Sequence, residues 1–248
     1  MSAEKPGPHD ALGIARLSGK SCDLLADMLR ERILSGTLPP GAKLPTEREL
    51  AAGSGLSRGS VREAIRVLNA EGLVEARLGR YGGTIVSEPG QKMIADVVNR
   101  FARGRKLSHL ILHEAREALE PSVARLAAQR RSEADLHMLQ ALHADLAGAV
   151  EDHDRFVRLN VAWHAAIGAV SGNDLLASFL LSLASGFVDA TDTDDFDTVA
   201  VRQGVVRIHA RILAAIAAQD GDAAERRMRR HIRATRVVAQ PSDASSNE

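Results

Sequence analysis

The segment Pro40–Val86, PGAKLPTERELAAGSGLSRGSVREAIRVLNAEGLVEARLGRYGGTIV, constrains the fold more than any other part of the chain. Thr46 with Glu49 three residues on has the spacing of a capping box and opens a helix. Gly53-Ser54-Gly55 ends that helix in a tight turn. Ser57 caps the next helix, which Gly72 stops. On it Val61, Ala64, Ile65 and Leu68 share one face, and Arg58, Gly59, Arg62 and Arg66 share a neighbouring one. Leu73–Arg77 and Thr84–Val86 read as short strands joined by the tip Gly79-Arg80-Tyr81-Gly82-Gly83. Upstream, Lys20–Ser35 carries one apolar stripe, and Gly36 suits a left-handed cap. This order of elements predicts a winged helix-turn-helix. A basic helix face alone is ordinarily a solvated face. Followed by a narrow tip bearing Arg80, it points to double-stranded DNA.

Charge bears on how such a domain would bind. The chain has 32 basic and 32 acidic residues. Between Met1 and Gly90, 12 Lys/Arg stand against 11 Asp/Glu, a net of +1. Binding must therefore rest on a local patch, and a homodimer would double the contact set. The single Cys22 excludes an internal disulfide framework and reads as a buried thiol beside the first apolar stripe. No apolar run of about 18 residues and no signal peptide is evident, so the expectation is a cytoplasmic protein with no membrane partner.

Beyond Ser87-Glu88-Pro89-Gly90 no strand alternation occurs. Apolar residues recur at helical spacing over Lys92–Arg103, Leu107–Arg130, Glu133–Ala149, Asp152–Ser171, Asn173–Thr191, Asp197–Gln219 and Asp222–Val238. Short connections between these predict an antiparallel bundle. The fold class is thus mainly α, an N-terminal winged helix-turn-helix plus an all-helical bundle of six to seven helices. Predicted limits are a tail at 1–18, the winged domain at 19–87, a linker at 88–91, the helical domain at 92–239 and a second tail at 240–248. Pro121 should bend its helix or leave a carbonyl unpaired. Asp192, Asp194, Asp195 and Asp197 read as a solvated loop with Asp197 as a cap, and the arginines from Arg226 to Arg236 as a solvated face.

Nine histidines are present. Asn160 and His164, four apart, lie on one helix face. His164, His209 and His231 each border the apolar stripe of their helix. Three imidazoles and one amide carbonyl meeting in a bundle interior would suit Zn²⁺, Ni²⁺ or a similar divalent ion, with positions left for a ligand. The ordinary alternative for each is a hydrogen-bonded histidine at the core edge. His109 and His113 read as surface residues at a helix start, and His137 and His143 as structural or exposed.

The segment from about Lys20 to Val86 resembles the DNA-binding domain of the GntR family of bacterial repressors. The matching elements are Pro40-Gly41 with Leu44-Pro45-Thr46-Glu47-Arg48-Glu49-Leu50, Leu56-Ser57-Arg58 with Val61-Arg62-Glu63-Ala64, and Glu71-Gly72-Leu73-Val74 with Gly82-Gly83-Thr84. The resemblance implies DNA contact by Arg48, Ser57, Arg58 and Arg62. The DNA-facing set is completed by Thr46, Gly59, Ser60, Arg80 and Gly82. The region from Lys92 to Val238 resembles the FCD ligand-binding domain of the FadR-type branch. That resemblance implies a metal site at Asn160, His164, His209 and His231. Asn160 stands where Asp is commoner, which removes a negative charge and implies weaker metal affinity or reliance on an anionic ligand. Arg116, in Arg116-Glu117-Ala118-Leu119-Glu120, would hold a small carboxylate effector in a bidentate fork; the alternative is an ion pair with Glu120.

The function this implies is a dimeric transcriptional regulator, expected as a repressor of a metabolic operon, reading a palindromic operator and answering a carboxylate through a metal-containing domain. Two alternatives remain at this point: a metal-dependent enzyme fused to a DNA-binding module, or a constitutive repressor with a structural metal.

Overall fold

The computed structural model describes residues 22–79, 82–190 and 198–238. The chain divides into two compact units, Met1–Met93 and Ile94–Glu248. The first holds α1 (Cys22–Leu34), α2 (Glu47–Ser54), α3 (Arg58–Ala70), β1 (Val74–Arg77) and β2 (Gly83–Val86). Leu25, Leu29, Leu50, Val61, Ala64 and Leu68 interlock as its core, because each helix has one apolar stripe and all three stripes meet. β1 and β2 pair antiparallel, with Val74 opposite Val86. A further extended stretch joins them: Leu44 N–H donates to Thr84 O (2.9 Å) and Val86 N–H to Ala42 O (2.8 Å), with a bridge between Lys43 and Ile85. The sequence shows only a Pro-Gly turn there, since its partner strand lies some forty residues away.

Seven further helices follow among the described residues: α4 (Gln91–Gly104), which starts three residues before the division, and, within the second unit, α5 (His109–Arg130), α6 (Glu133–Ala147), α7 (His153–Val170), α8 (Asp174–Ala190), α9 (Val199–Ala217) and α10 (Gly221–Val238). The predicted helical bundle is therefore the observed class. α5 is central and packs on α7, α8, α9 and α10. Val123, Ala124, Ala127, Trp163, Ile167, Ile212, Ile216, Met228 and Ile232 form the core around it. At Gly168 a Cβ would lie 3.3 Å from Ala177 Cα, so glycine permits the close approach of α7 to α8.

Two side chains and one helix cap differ from local expectation. Cys22 is half-buried at the start of α1 rather than buried, because that end of the helix is only partly covered. His113 is 3% exposed, not a surface residue. α10 covers that turn of α5, and Thr235 Oγ1 lies 3.0 Å from His113 Nε2. Pro121 sits inside an uninterrupted α5. Having no N–H, it cannot serve the carbonyl of Glu117 one turn back. The acidic run ending at Asp197 lies outside the described residues, and Thr198 caps α9 through a bond from Val201 N–H (3.3 Å).

Candidate metal centre and nucleic-acid interface

In the first unit the caps set the geometry of the basic helix. Glu49 N–H donates to Thr46 Oγ1 (3.3 Å), and Thr46 N–H donates back to Glu49 Oε2 (2.8 Å). Gly55 ends α2 at φ 73°, in the left-handed region. Ser60 N–H donates to Ser57 Oγ (3.1 Å), and the two hydroxyls lie 2.9 Å apart. Thr46, Ser57 and Ser60 therefore order the ends of α2 and α3. Val61, Ala64 and Leu68 face inward, while Arg58, Gly59 and Arg62 are exposed on the other side, with Arg48 exposed on α2. Arg62 is held in place: its Nη2 donates to Glu47 Oε2 (2.9 Å), and its Nε lies 3.2 Å from both Glu47 oxygens. That hydrogen bond, with Arg62 and then Arg58 and Arg66 as neighbouring charges, lowers the Glu47 carboxyl below its ordinary pKa against the opposing effect of burial. Gly82 N–H donates to Gly79 O (2.9 Å), closing the hairpin tip. A Cβ at Gly82 would lie 2.2 Å from Arg77 O, so only glycine fits that turn. Arg80 lies outside the described residues.

In the second unit, helices distant in sequence bring the histidines together. α7 supplies Asn160 and His164, α9 supplies His209 and α10 supplies His231; all four are buried. His231 Nε2 lies 3.1 Å from His209 Nε2 and 3.4 Å from His164 Nε2. The candidate ligand nitrogens of the three all fall within 4.8 Å of one another. Metal–nitrogen bonds of about 2.0–2.1 Å put neighbouring ligands roughly 2.8–3.4 Å apart in octahedral or tetrahedral geometry. The spacing therefore suits a divalent ion. Asn160 Oδ1, one turn before His164, is buried with no hydrogen-bond partner. A buried amide oxygen in that condition costs free energy unless something binds it. The residues fit a metal on both counts.

Electrostatics points the same way. Burial, then His231 and His164, pushes the His209 imidazole well below the usual range. Burial, then His164 and Arg116, pushes His231 down to about 3. Both rings are neutral at pH 7 and keep the lone pairs a metal needs. Trp163 stacks on His209 at 3.8 Å with 10° between the rings, fixing that imidazole by packing.

Glu120 is the residue that sequence reasoning placed only as a partner for Arg116. Its Oε2 accepts from His164 Nδ1 at 2.5 Å, and its Oε1 accepts from Arg116 Nε at 2.5 Å. Burial alone would push its carboxyl up, but Arg116 and His164 outweigh that and hold it well below the usual carboxylate range. The signal that could have found it is the Arg116–Glu120 spacing, which sets both side chains on the same side of α5.

Comparison with known proteins gives these two units a family. Residues 23–86 match the model of bacterial regulatory proteins of the gntR family, and residues 112–234 match that of the FCD domain. The HTH-type transcriptional regulator LutR of Bacillus subtilis is 32% identical over 204 residues, covering 81% of this chain and 92% of LutR. The galactonate operon transcriptional repressor of Escherichia coli is 28% identical, covering 82% of this chain and 90% of its own. The Glc operon transcriptional activator of Escherichia coli is also 28% identical, covering 86% of each chain. Among solved structures, Streptococcus agalactiae GntR is 29% identical with a TM-score of 0.60, over 87% of this chain and 99% of that one. These families and relatives are transcriptional regulators, not enzymes. The chain belongs to the GntR family of bacterial transcriptional regulators and carries an FCD domain as its second unit.

Proposed function

We propose that this regulator senses a small carboxylate at a divalent metal held by Asn160, His164, His209 and His231, and reads a palindromic operator as a homodimer. The observation that carries the sensing half is the meeting of three buried imidazole nitrogens beside an amide oxygen that has no partner. A divalent ion bound there supplies Lewis-acid positions at which a carboxylate can complete the shell. His209 and His231 offer neutral nitrogens, and Asn160 offers a neutral oxygen. Arg116, whose charge is felt at both His209 and His231, gives a carboxylate a buried cation to approach.

At the other unit, Arg48, Arg58 and Arg62 are the proposed base-reading groups. Gly59 would let the backbone approach a phosphate closely, and the wing at Gly82 would run along the neighbouring groove. One α3 per half-site would place two such helices about 34–36 Å apart on the duplex. The near-neutral charge of the chain favours duplicated contacts over a single weak one. Effector binding changes transcription only if it favours one placement of the paired DNA-binding units over another. The named relatives include both a repressor and an activator.

The test is elemental analysis and thermal shift. Purified protein should carry one divalent ion per chain, and its melting temperature should rise with the effector carboxylate only when metal is present. Duplexes selected from a random pool should be palindromic and bind two chains. Metal-free protein of unchanged stability after loading with zinc or nickel would overturn the sensing half. Selection of no sequence would overturn the operator half.

A further inference from the structure

His164 differs from its two neighbours in how it is held. Among the described residues, His209 and His231 have no hydrogen-bond partner on Nδ1, and ring packing sets their orientation. His164 Nδ1 instead meets Glu120 Oε2 at 2.5 Å. Glu120 is 3% exposed and His164 4%, so water does not compete for this bond. The other carboxylate oxygen takes Arg116 Nε at 2.5 Å, which fixes the plane of the carboxylate. Each oxygen thus has one assigned partner. A carboxylate accepts and does not donate, so the neutral His164 ring carries its proton on Nδ1. The lone pair is then on Nε2, the nitrogen that lies 3.4 Å from His231 Nε2.

We infer that Glu120 is a positioning residue for this centre, oriented by Arg116, that locks His164 in the Nδ1–H tautomer with Nε2 aimed at the other two imidazoles. The inference rests on the metal reading above for its purpose, and on hydrogen-bond geometry alone for its content. It accounts for two features at once. α5 contributes no ligand, yet it places a buried ion pair against the ligand helix α7. Asn160 brings no charge, and Glu120 supplies a negative charge one bond further out, through an imidazole. Outer carboxylates of this kind raise ligand basicity, and their loss typically costs about 10–100-fold in metal affinity.

The deciding measurement uses full-length protein with ¹⁵N-labelled histidine. In metal-free wild type at about pH 8.5, above the ordinary imidazole range, long-range ¹H–¹⁵N spectra should place the His164 proton on Nδ1. A proton on Nε2, or on both nitrogens, overturns the inference without any substitution being made. Glu120→Gln can donate an amide N–H to Nδ1 and so favours the opposite tautomer. It should weaken zinc binding about 10–100-fold in competition with a chelating dye, and shift the His164 resonances toward Nε2–H. Arg116→Lys, which keeps a cation near Glu120, should retain the Nδ1–H tautomer. Glu120→Gln with wild-type affinity and tautomer sinks the inference. If wild type binds no zinc, the metal reading fails, and the metal-free spectrum still decides the role of Glu120. If the Gln variant loses its helical circular dichroism, the wild-type spectrum decides.

Discussion

Arg62 and Glu47 face each other across the turn between α2 and α3, with Nη2 2.9 Å from Oε2. Both side chains keep substantial exposure, 57% and 37%, so the pair is screened and adds little to folding. On the proposed reading its consequence falls on recognition. A DNA phosphate or base edge would have to compete with Glu47 for Arg62, and the carboxylate would repel phosphates that meet Arg62 in the wrong geometry. Glu47→Gln should leave the melting temperature unchanged, strengthen binding to scrambled duplex and narrow its gap to a selected operator. Gel shifts at two salt concentrations read both affinities; an unchanged gap would show that the pair has no part in discrimination.

Arg58 is exposed at the start of α3, next to a cap that is already satisfied. Its loss should leave helix formation alone. Arg58→Ala is expected to cost about 1–3 kcal/mol of operator discrimination, the usual worth of a bidentate base contact. Far-ultraviolet circular dichroism should match wild type. Full operator preference in the variant would remove Arg58 from the reading set.

Gly82 tests the wing without touching the basic helix. An Ala there puts a Cβ against Arg77 O and Gly79 O, at 2.2 and 2.9 Å. The tip must open, while the core of Leu25, Leu50 and Leu68 stays packed. Gly82→Ala should weaken operator binding and change the melting temperature only slightly. Equal affinity would show that the tip does not touch DNA.

Metal removal has a defined expectation. A ligand at 100 times its dissociation constant stabilises the folded state by about 2.7 kcal/mol. Chelation should therefore lower the melting temperature of the second unit, and zinc should restore it. His164→Ala combined with His209→Ala should abolish both the metal content and the response to chelator. A double variant that retains stoichiometric metal would place the ion elsewhere.

Acid should destabilise the metal-free protein over a predictable window. In the folded state His231 titrates at about 3, against about 6.5 in an unfolded chain. The unfolded state therefore binds the proton more readily between those values. Stability is full above about pH 6.5 and falls as pH drops toward 3, by about 1.4 kcal/mol per pH unit for one such histidine. His209 is lowered in the same direction and adds to the fall. Urea denaturation of metal-free protein at a series of pH values checks the sign. A flat profile through this window would show that the two rings are not buried and neutral.

Much of the first unit was legible because its signals are local. The Thr46–Glu49 and Ser57–Ser60 bonds span three residues, and the arginine face of α3 follows from helical periodicity alone. The stretch at Ala42–Leu44 that pairs with β2 was not legible, because a strand of this length has no pattern of its own and is defined by its partner. In the second unit, neither the burial of His113 nor the part played by Glu120 at His164 was legible. Those bonds span 122 and 44 residues.

By itself, then, the amino-acid order determined where helices begin and end, which of their faces are apolar, and that Asn160 and His164 share one side of a single helix. These follow from capping chemistry and a rise and twist that every residue obeys. Only the tertiary structure decided that α9 and α10 turn His209 and His231 toward that same side, and that α5 slides a carboxylate behind His164. Helix rotation and depth are set by how whole side-chain surfaces interdigitate, and no short window of sequence contains that information.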